Sequence, residues 1–172
     1  MDITEVILFQ HHQQRRLFAV LDELDRDDVT SLEAIWRQLA ILLEVHAAAE
    51  EKYFYPRVLA IGHGAGGADS AAEETEDAIG DHNDIRDAFA RAAGCRVGTD
   101  DWWQAVIDAR LANSDHMAEE EREDLADFRR HATLQERHDI AVQFLVFEAT
   151  HAEGIDATDR DPEEYVASGG AG

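Results

Sequence analysis

The sequence predicts an all-α protein, and two observations carry this prediction. Apolar residues recur with helical spacing almost throughout the 172-residue chain, which only two prolines interrupt. A helical hairpin also occurs twice, because His11 and His82 each open the pattern His-x3-Arg-x2-Phe, and His46 and His116 each open His-x3-Glu-Glu. The equivalent histidines are 71 and 70 residues apart, as expected for a repeated hairpin.

The first two predicted helices form the first hairpin. Helix one spans about residues 2–24, with His11 at the margin of its apolar stripe. His12 is rotated by about 100° toward solvent and is interpreted as a surface residue. Thr30 and Glu33 form a capping-box signature that is predicted to open helix two.

The inner face of helix two is apolar except for His46 and Glu50. A buried carboxylate without partners costs several kcal/mol, so Glu50 requires a cation, a hydrogen-bonding network or a shifted pKa. Side chains four residues apart lie on one face of a helix, so His46 can chelate one ion together with Glu50, and His116 together with Glu120. Glu51 is rotated by about 100° away from this face.

The second half of the chain is predicted as a glycine-rich loop at residues 62–67, helix three at 70–93 and helix four at 102–131. A fifth, strongly apolar helix at 133–151 is expected to pack on the other helices or on an identical helix in a homodimer. The polar tail, residues 154–172, is expected to be partly disordered.

The acidic run around helix four has two interpretations. Glu119 and Glu123 are expected to be solvated, as such runs usually are. Asp124 is either solvated in the same way or an acceptor behind a ligand histidine.

Charge and composition exclude several classes of function. The net charge of −23 repels nucleic acids and anionic membranes. Cys95 is the only cysteine, which excludes an intramolecular disulfide and favours a packing or loop thiol. The N-terminus lacks a signal peptide and no apolar stretch approaches 18 residues, so a soluble cytoplasmic protein is expected.

The ordered histidines and the doubled His-x3-Glu-Glu motif resemble the hemerythrin-like HHE cation-binding family over roughly residues 2–130. This resemblance implies an up-down four-helix bundle at residues 1–131. The additional helix, with its flanking residues, is assigned to residues 132–153 and the tail to residues 154–172. The resemblance also implies two non-haem irons that the two His-x3-Glu carboxylates bridge and that histidines cap. The ligands carried over are His11, His46, Glu50, His82, His116 and Glu120.

The ligand chemistry allows iron, manganese or zinc, and the choice of iron is implied by the family. Oxygen-carrying hemerythrins have two histidines one turn apart on the third helix, whereas here His82 is followed by Arg86 and preceded by Ala78. The missing histidine leaves a coordination position for solvent, another side chain or substrate, and argues against reversible oxygen carriage. Tyr53, three residues beyond Glu50, is either a candidate to approach the metal or a core tyrosine bonded to a carboxylate.

Together these features predict a di-iron protein that reacts with or senses dioxygen, peroxide or nitric oxide. Two irons can share the electrons that such chemistry requires, and an open position admits the ligand. Peroxide decomposition in oxidative-stress defence is favoured, because the missing third-helix histidine opens a site that Tyr53 is a candidate to approach. The alternatives are non-enzymatic dioxygen or nitric oxide binding or sensing, and iron holding without turnover. A sensor would require a separate partner, because the chain is one domain with a short tail.

Overall fold

The computed structural model describes residues 1–66 and 69–170, in which helices joined by turns and loops occur and no strand is found. The all-α prediction is therefore confirmed. Gly67 of the predicted loop, and Ala171 and Gly172 of the predicted disordered tail, lie outside the described residues. None of the described helices combines the length and apolar content needed to span a membrane. The elements are α1 (Ile3–Glu23), α2 (Val29–Ala49), a π-helical turn (Glu50–Phe54), α3 (Tyr55–Ile61), α4 (Ala71–Ala93), α5 (Asp100–Arg122), α6 (Asp124–His131), α7 (Leu134–Thr150) and α8 (Pro162–Ala167).

The four long helices form a bundle of two hairpins. Helix α1 packs against α2, and α4 packs against α5, while contacts between α1 and α5 and between α2 and α4 close the bundle. Each hairpin carries one copy of the repeated motifs. The hemerythrin-like bundle predicted from the sequence is confirmed, and it brings the two motif copies face to face.

The start of α2 differs from the sequence prediction. Asp28 caps the helix, and its carboxylate accepts a hydrogen bond from the backbone N–H of Ser31 at 3.2 Å. The capping box expected at Thr30 and Glu33 is wrong, because Asp28 precedes Thr30 and already occupies the capping position. Thr30 therefore lies inside the first turn.

The single long helix predicted at residues 102–131 is also wrong, because Glu123 interrupts it with backbone angles φ −110° and ψ −80°. The bend keeps its backbone bonds: the N–H of Glu123 donates to Glu119, and its carbonyl accepts from Asp127, both at 2.8 Å. The Asp127 carboxylate in turn accepts hydrogen bonds from the backbone N–H groups of residues 63 and 64. The bend therefore allows α6 to fasten the loop that follows α3.

The C-terminal part of the chain covers one side of the bundle. Helix α7 contacts α1 and α2 and buries Phe144 and Phe147 between them, while Val146 faces outward. Residues 154–170, here called the C-terminal strap, contain α8, which packs against α4. The polar composition of this segment did not indicate a packed helix, yet Tyr165 is buried in it.

A polar layer divides the interior of the bundle into two apolar clusters. One cluster includes Ile7 and Phe54, and the other includes Leu17 and Trp102. Along α1, the buried residues between Ile7 and Leu17 are Gln10, His11 and Gln14. Because buried polar groups need partners, the side chains of this layer must bind one another or an ion.

Candidate metal centre

The six side chains predicted as metal ligands come together in the polar layer, in two groups that could each hold an ion. In each group the ligand atoms lie within 4.8 Å of one another, and every member is buried. His12 is exposed, as expected. The four-donor group contains His11, His46, Glu50 and Glu120, and the three-donor group contains Glu50, His82 and His116.

Glu50 joins the two groups. Its Oε1 atom lies 2.9 Å from Nε2 of His46, and its Oε2 atom lies 3.3 Å from Nε2 of His82. Burial would raise the pKa of Glu50, but interactions with the imidazoles of His46 and His82 hold that pKa well below its ordinary range. Glu50 is thus an ionised carboxylate whose two oxygens point to two different cation positions.

The second glutamate of each His-x3-Glu-Glu motif orients a histidine from the opposite hairpin. Oε1 of Glu51 lies 3.0 Å from Nδ1 of His82, and Oε1 of Glu121 lies 2.9 Å from Nδ1 of His11. This role of Glu51 was not predicted from the sequence, because the side chain is rotated away from the inner face of its own helix. Carboxylates behind a histidine commonly fix its ring and its tautomer at metal sites.

The arginines of the repeated His-x3-Arg motif hold these same glutamates. Arg86 donates to Oε1 of Glu51, and Arg15 lies 2.8 Å from Oε1 of Glu121. Burial opposes ionisation of Glu51, yet its histidine and arginine partners lower its pKa to about 2. The hydrogen bond from His11 likewise lowers the pKa of Glu121 to about 2. The repeated arginines were the signal in the sequence that could have revealed both contacts.

The other two histidines are held by the residues that precede His11 and His82 in the chain. Oε1 of Gln10 faces Nδ1 of His46, and Oδ2 of Asp81 lies 3.4 Å from Nδ1 of His116. Gln10 in turn donates to Glu148 of α7 at 2.8 Å. The Nδ1 atoms of His11, His46 and His82 therefore have hydrogen-bond partners, and that of His116 faces a carboxylate, while the Nε2 atoms face the centre.

A cation fits the atoms that converge there. If each Nδ1 carries the hydrogen, the Nε2 atoms of His82 and His116, which are 3.3 Å apart, face each other as lone pairs. Within the described part of the chain, Nε2 of His11 and both carboxylate oxygens of Glu50 are buried without a hydrogen bond. Buried unpaired acceptors are costly, and a metal ion bound among them would satisfy them.

Without a metal, protons take its place. Burial lowers the pKa of a histidine, but contacts with Glu120 and Glu121 outweigh burial and raise the pKa of His11 to about 9. Contacts with Glu50 and Glu51 likewise outweigh burial and raise the pKa of His82 to about 9. The centre therefore attracts positive charge on both sides.

Tyr55, and not Tyr53, is the tyrosine at the centre. Tyr53 packs edge-on against Phe147 of α7, with ring centroids 5.8 Å apart. Tyr55 is fully buried, and its hydroxyl donates to Oε1 of Glu120 at 3.1 Å. The π-helical turn at Glu50–Phe54 explains the difference, because its wider turn brings the fifth following residue back to the same face.

The acidic run after His116 is only partly solvated. Glu119 is exposed as expected, but Glu123 and Asp124 are buried, so the prediction of a solvated Glu123 is wrong. The bend at Glu123 turns both side chains inward. Burial, reinforced by the charge of Glu120, raises the pKa of Asp124 well above its ordinary value.

A small cavity adjoins the three-donor group. Its volume of about 20 Å³ is enough for one water-sized molecule. His82 and His116 line one wall, and apolar side chains such as Leu43 and Phe89 line much of the rest. Arg86, which stands one turn beyond His82, also borders the cavity.

Comparison with known families gives a match that agrees with this geometry. The model of the hemerythrin HHE cation binding domain matches residues 2–128, which is well over half of the chain. Searches of curated proteins and of solved structures found no match. Helix α7 and the C-terminal strap lie beyond the matched region. The chain belongs to the hemerythrin HHE cation-binding domain family.

Proposed function

We propose that this protein holds two iron ions at the two donor groups and decomposes hydrogen peroxide there. The observation that carries the proposal is the three-donor group, which borders a cavity of about 20 Å³. Three protein donors leave coordination positions open, and the cavity has room for a molecule as small as peroxide.

The choice of iron rests on the family and not on the donor set. Imidazoles and carboxylates suit iron, manganese and zinc alike, and the chain matches the hemerythrin HHE cation binding domain. Glu50 supplies one oxygen to each group, so two ions would be linked through one carboxylate. When bound, the two irons would supply the electron exchange that peroxide chemistry needs.

The residues around the centre supply protons. Burial and the nearby Glu120 charge raise the pKa of Tyr55 well above its ordinary value, and the pKa of Asp124 is also raised. The hydroxyl of Tyr55 therefore remains protonated at neutral pH. Decomposition of two peroxide molecules reduces one to two waters, which consumes two protons, and oxidises the other to dioxygen, which releases two protons. A buried hydroxyl beside the centre favours such proton exchange.

Proton donors also favour peroxide turnover over plain binding of dioxygen or nitric oxide. A gas sensor or carrier requires a pocket but no proton supply. Here the hydroxyl of Tyr55 is bonded to the candidate ligand Glu120, so it can exchange its proton within the centre. Iron holding without turnover would leave the cavity without a role.

The test measures dioxygen release from peroxide by the iron-loaded protein and by matched variants. We expect multiple turnovers in the wild type and none in His116→Ala, which removes a donor from the cavity wall. Tyr55→Phe should lower the rate by about 10²-fold with unchanged iron content, as expected for loss of a proton-transferring group. Tyr53→Phe is the control, because Tyr53 packs on Phe147.

Two results would contradict the proposal. Iron-loaded protein that releases no dioxygen from peroxide, but changes its spectrum reversibly with dioxygen or nitric oxide, would establish the gas-binding alternative. Bound iron with neither response would establish iron holding.

A further inference from the structure

The C-terminal strap reaches the metal centre through Glu51. Arg160 donates from Nε to Oε2 of Glu51 at 2.8 Å, and the buried hydroxyl of Tyr165 donates to the backbone carbonyl of Glu51. The strap is therefore bonded to both the side chain and the backbone of one residue. That residue is adjacent in the chain to Glu50, which both donor groups share.

The backbone of the strap is fixed beside the same site. The Asn83 side chain donates to the carbonyl of Arg160 at 2.7 Å and accepts from its N–H at 3.1 Å. The guanidinium of Arg160 also lies over the Tyr165 ring, 5.7 Å from its centroid. Because Asn83 follows His82 directly, Arg160 is anchored next to the histidine that its partner Glu51 orients.

Glu51 transmits this anchoring to His82. One carboxylate oxygen of Glu51 faces His82 Nδ1 and Arg86, and the other accepts from Arg160. A carboxylate bonded at both oxygens has little freedom to rotate, so the imidazole in front of it is also held. Nε2 of His82 then points at Oε2 of Glu50, 3.3 Å away.

The equivalent glutamate in the other hairpin shows what the strap adds. Glu121 contacts His11 and Arg15, as Glu51 contacts His82 and Arg86, but its side chain is 29% exposed against 3% for Glu51. The repeat alone therefore produces the histidine and arginine contacts. The strap adds burial and a second cation on one side of the centre.

We propose that Arg160 and Tyr165 are positioning residues of the metal centre, which hold Glu51 and thereby raise the affinity of the three-donor group for its ion. This proposal rests on the proposed metal binding. Coupling between two binding events is reciprocal, so a bound ion should also stabilise the docked strap. The segment beyond the family match is thus an outer part of the site.

The experiment titrates the metal-free full-length protein with cobalt, which binds the same nitrogen and oxygen donors, against a chelator. In Arg160→Gln we expect the affinity for one cobalt equivalent to fall by about 10-fold, with the other equivalent unchanged. Arg160→Lys keeps the charge and should recover part of the loss, and Tyr165→Phe should cause a smaller loss. Arg137→Gln is the control, because Arg137 also lies beyond the matched region but pairs with Asp2.

A second measurement follows the strap itself. Hydrogen exchange at residues 162–167 should slow when cobalt is added to the wild type, and slow less in Arg160→Gln. A purely structural strap would give a different pattern: Arg160→Gln and Tyr165→Phe would lower the unfolding temperature of the metal-free protein while both cobalt affinities stayed unchanged. That pattern, or an equal loss at both equivalents, overturns the proposal. A wild type that binds no cobalt refutes the proposed metal binding itself.

Discussion

The two sides of the centre are built from the same repeated motifs but differ in their surroundings. On the His11 side, Arg15 and Glu121 stand near solvent, whereas on the His82 side Glu51 is buried beneath the C-terminal strap. The His11 side belongs to a four-donor group, and the His82 side belongs to a three-donor group that borders the cavity.

This difference suggests that the two groups would bind their ions with different numbers of open coordination positions. More donors hold an ion more completely, and fewer donors leave positions for an external ligand. The side with fewer donors is also the side whose orienting glutamate is most firmly fixed. We infer that the buried Glu51 and the strap compensate for the missing donor, so that an ion with open positions is still retained.

The largest expected effect comes from Glu50, the residue common to both sides. Glu50→Gln should abolish binding of both metal equivalents, because it removes the charged oxygen from each group. Glu120→Gln should remove mainly the equivalent at the four-donor group. Metal analysis of the purified proteins measures both outcomes, with the exposed Glu119→Gln as the control.

If the Glu50→Gln protein still bound one metal equivalent, the two groups would not share this carboxylate. Equal losses in Glu50→Gln and Glu120→Gln would mean that the two ions bind only together.

A smaller effect is expected from the two orienting glutamates. Glu51→Gln should weaken one metal equivalent by about 100-fold, and Glu121→Gln should weaken the other by about 10-fold, the two ends of the usual range for such residues. The loss at Glu51 is larger because it leaves Arg86 and Arg160 facing a neutral group in a buried site. Chelator competition measures both affinities.

The contact with His82 changes the effect expected from a substitution of Glu51. The rotation of Glu51 away from the inner face of its helix predicts that Glu51→Ala disturbs metal binding less than Glu50→Ala. However, because Glu51 contacts His82, its substitution should still weaken metal binding. Equal effects of Glu51→Gln and Glu121→Gln would show that burial under the strap does not matter.

The sequence predicted the bundle and the grouping of six side chains because these depend on helical spacing and on a repeat. A four-residue spacing places His46 and Glu50 on one face whatever the remaining packing is. The duplication then requires an equivalent pair at His116 and Glu120, so the metal chemistry follows from local geometry.

The features that the sequence did not predict depend on local irregularity or distant contacts. A single π-helical turn has no sequence signature, yet it replaces Tyr53 by Tyr55 at the centre. The strap is polar, and its burial depends on Arg160 and Tyr165 finding Glu51 more than 100 positions earlier in the chain. Composition and periodicity contain no information about such pairings.

The last expected effect concerns pH, where the two sides should behave alike. Contacts with carboxylates raise the pKa of both His11 and His82 from 6.5 to about 9 in the metal-free protein. A raised histidine pKa contributes stability that is complete below pH 6.5 and is lost as the pH rises through about 9. Glu51 and Glu121 have pKa values lowered from 4.5 to about 2, so their contribution is complete above pH 4.5 and is lost as the pH falls through about 2.

The metal-free protein should therefore have its highest unfolding temperature between pH 4.5 and 6.5. As the pH rises toward 9, the unfolding temperature should fall by about 2 to 4 °C for each kcal/mol by which the free energy of unfolding decreases. Circular dichroism melts in chelator measure this decline. The metal-loaded protein should lack it, because a bound ion replaces the two protons. His11→Gln and His82→Gln should each remove a similar share of the decline, and the exposed His12→Gln should remove none. A flat profile from pH 6.5 to 9 in chelator would show that neither histidine holds a proton in place of the metal.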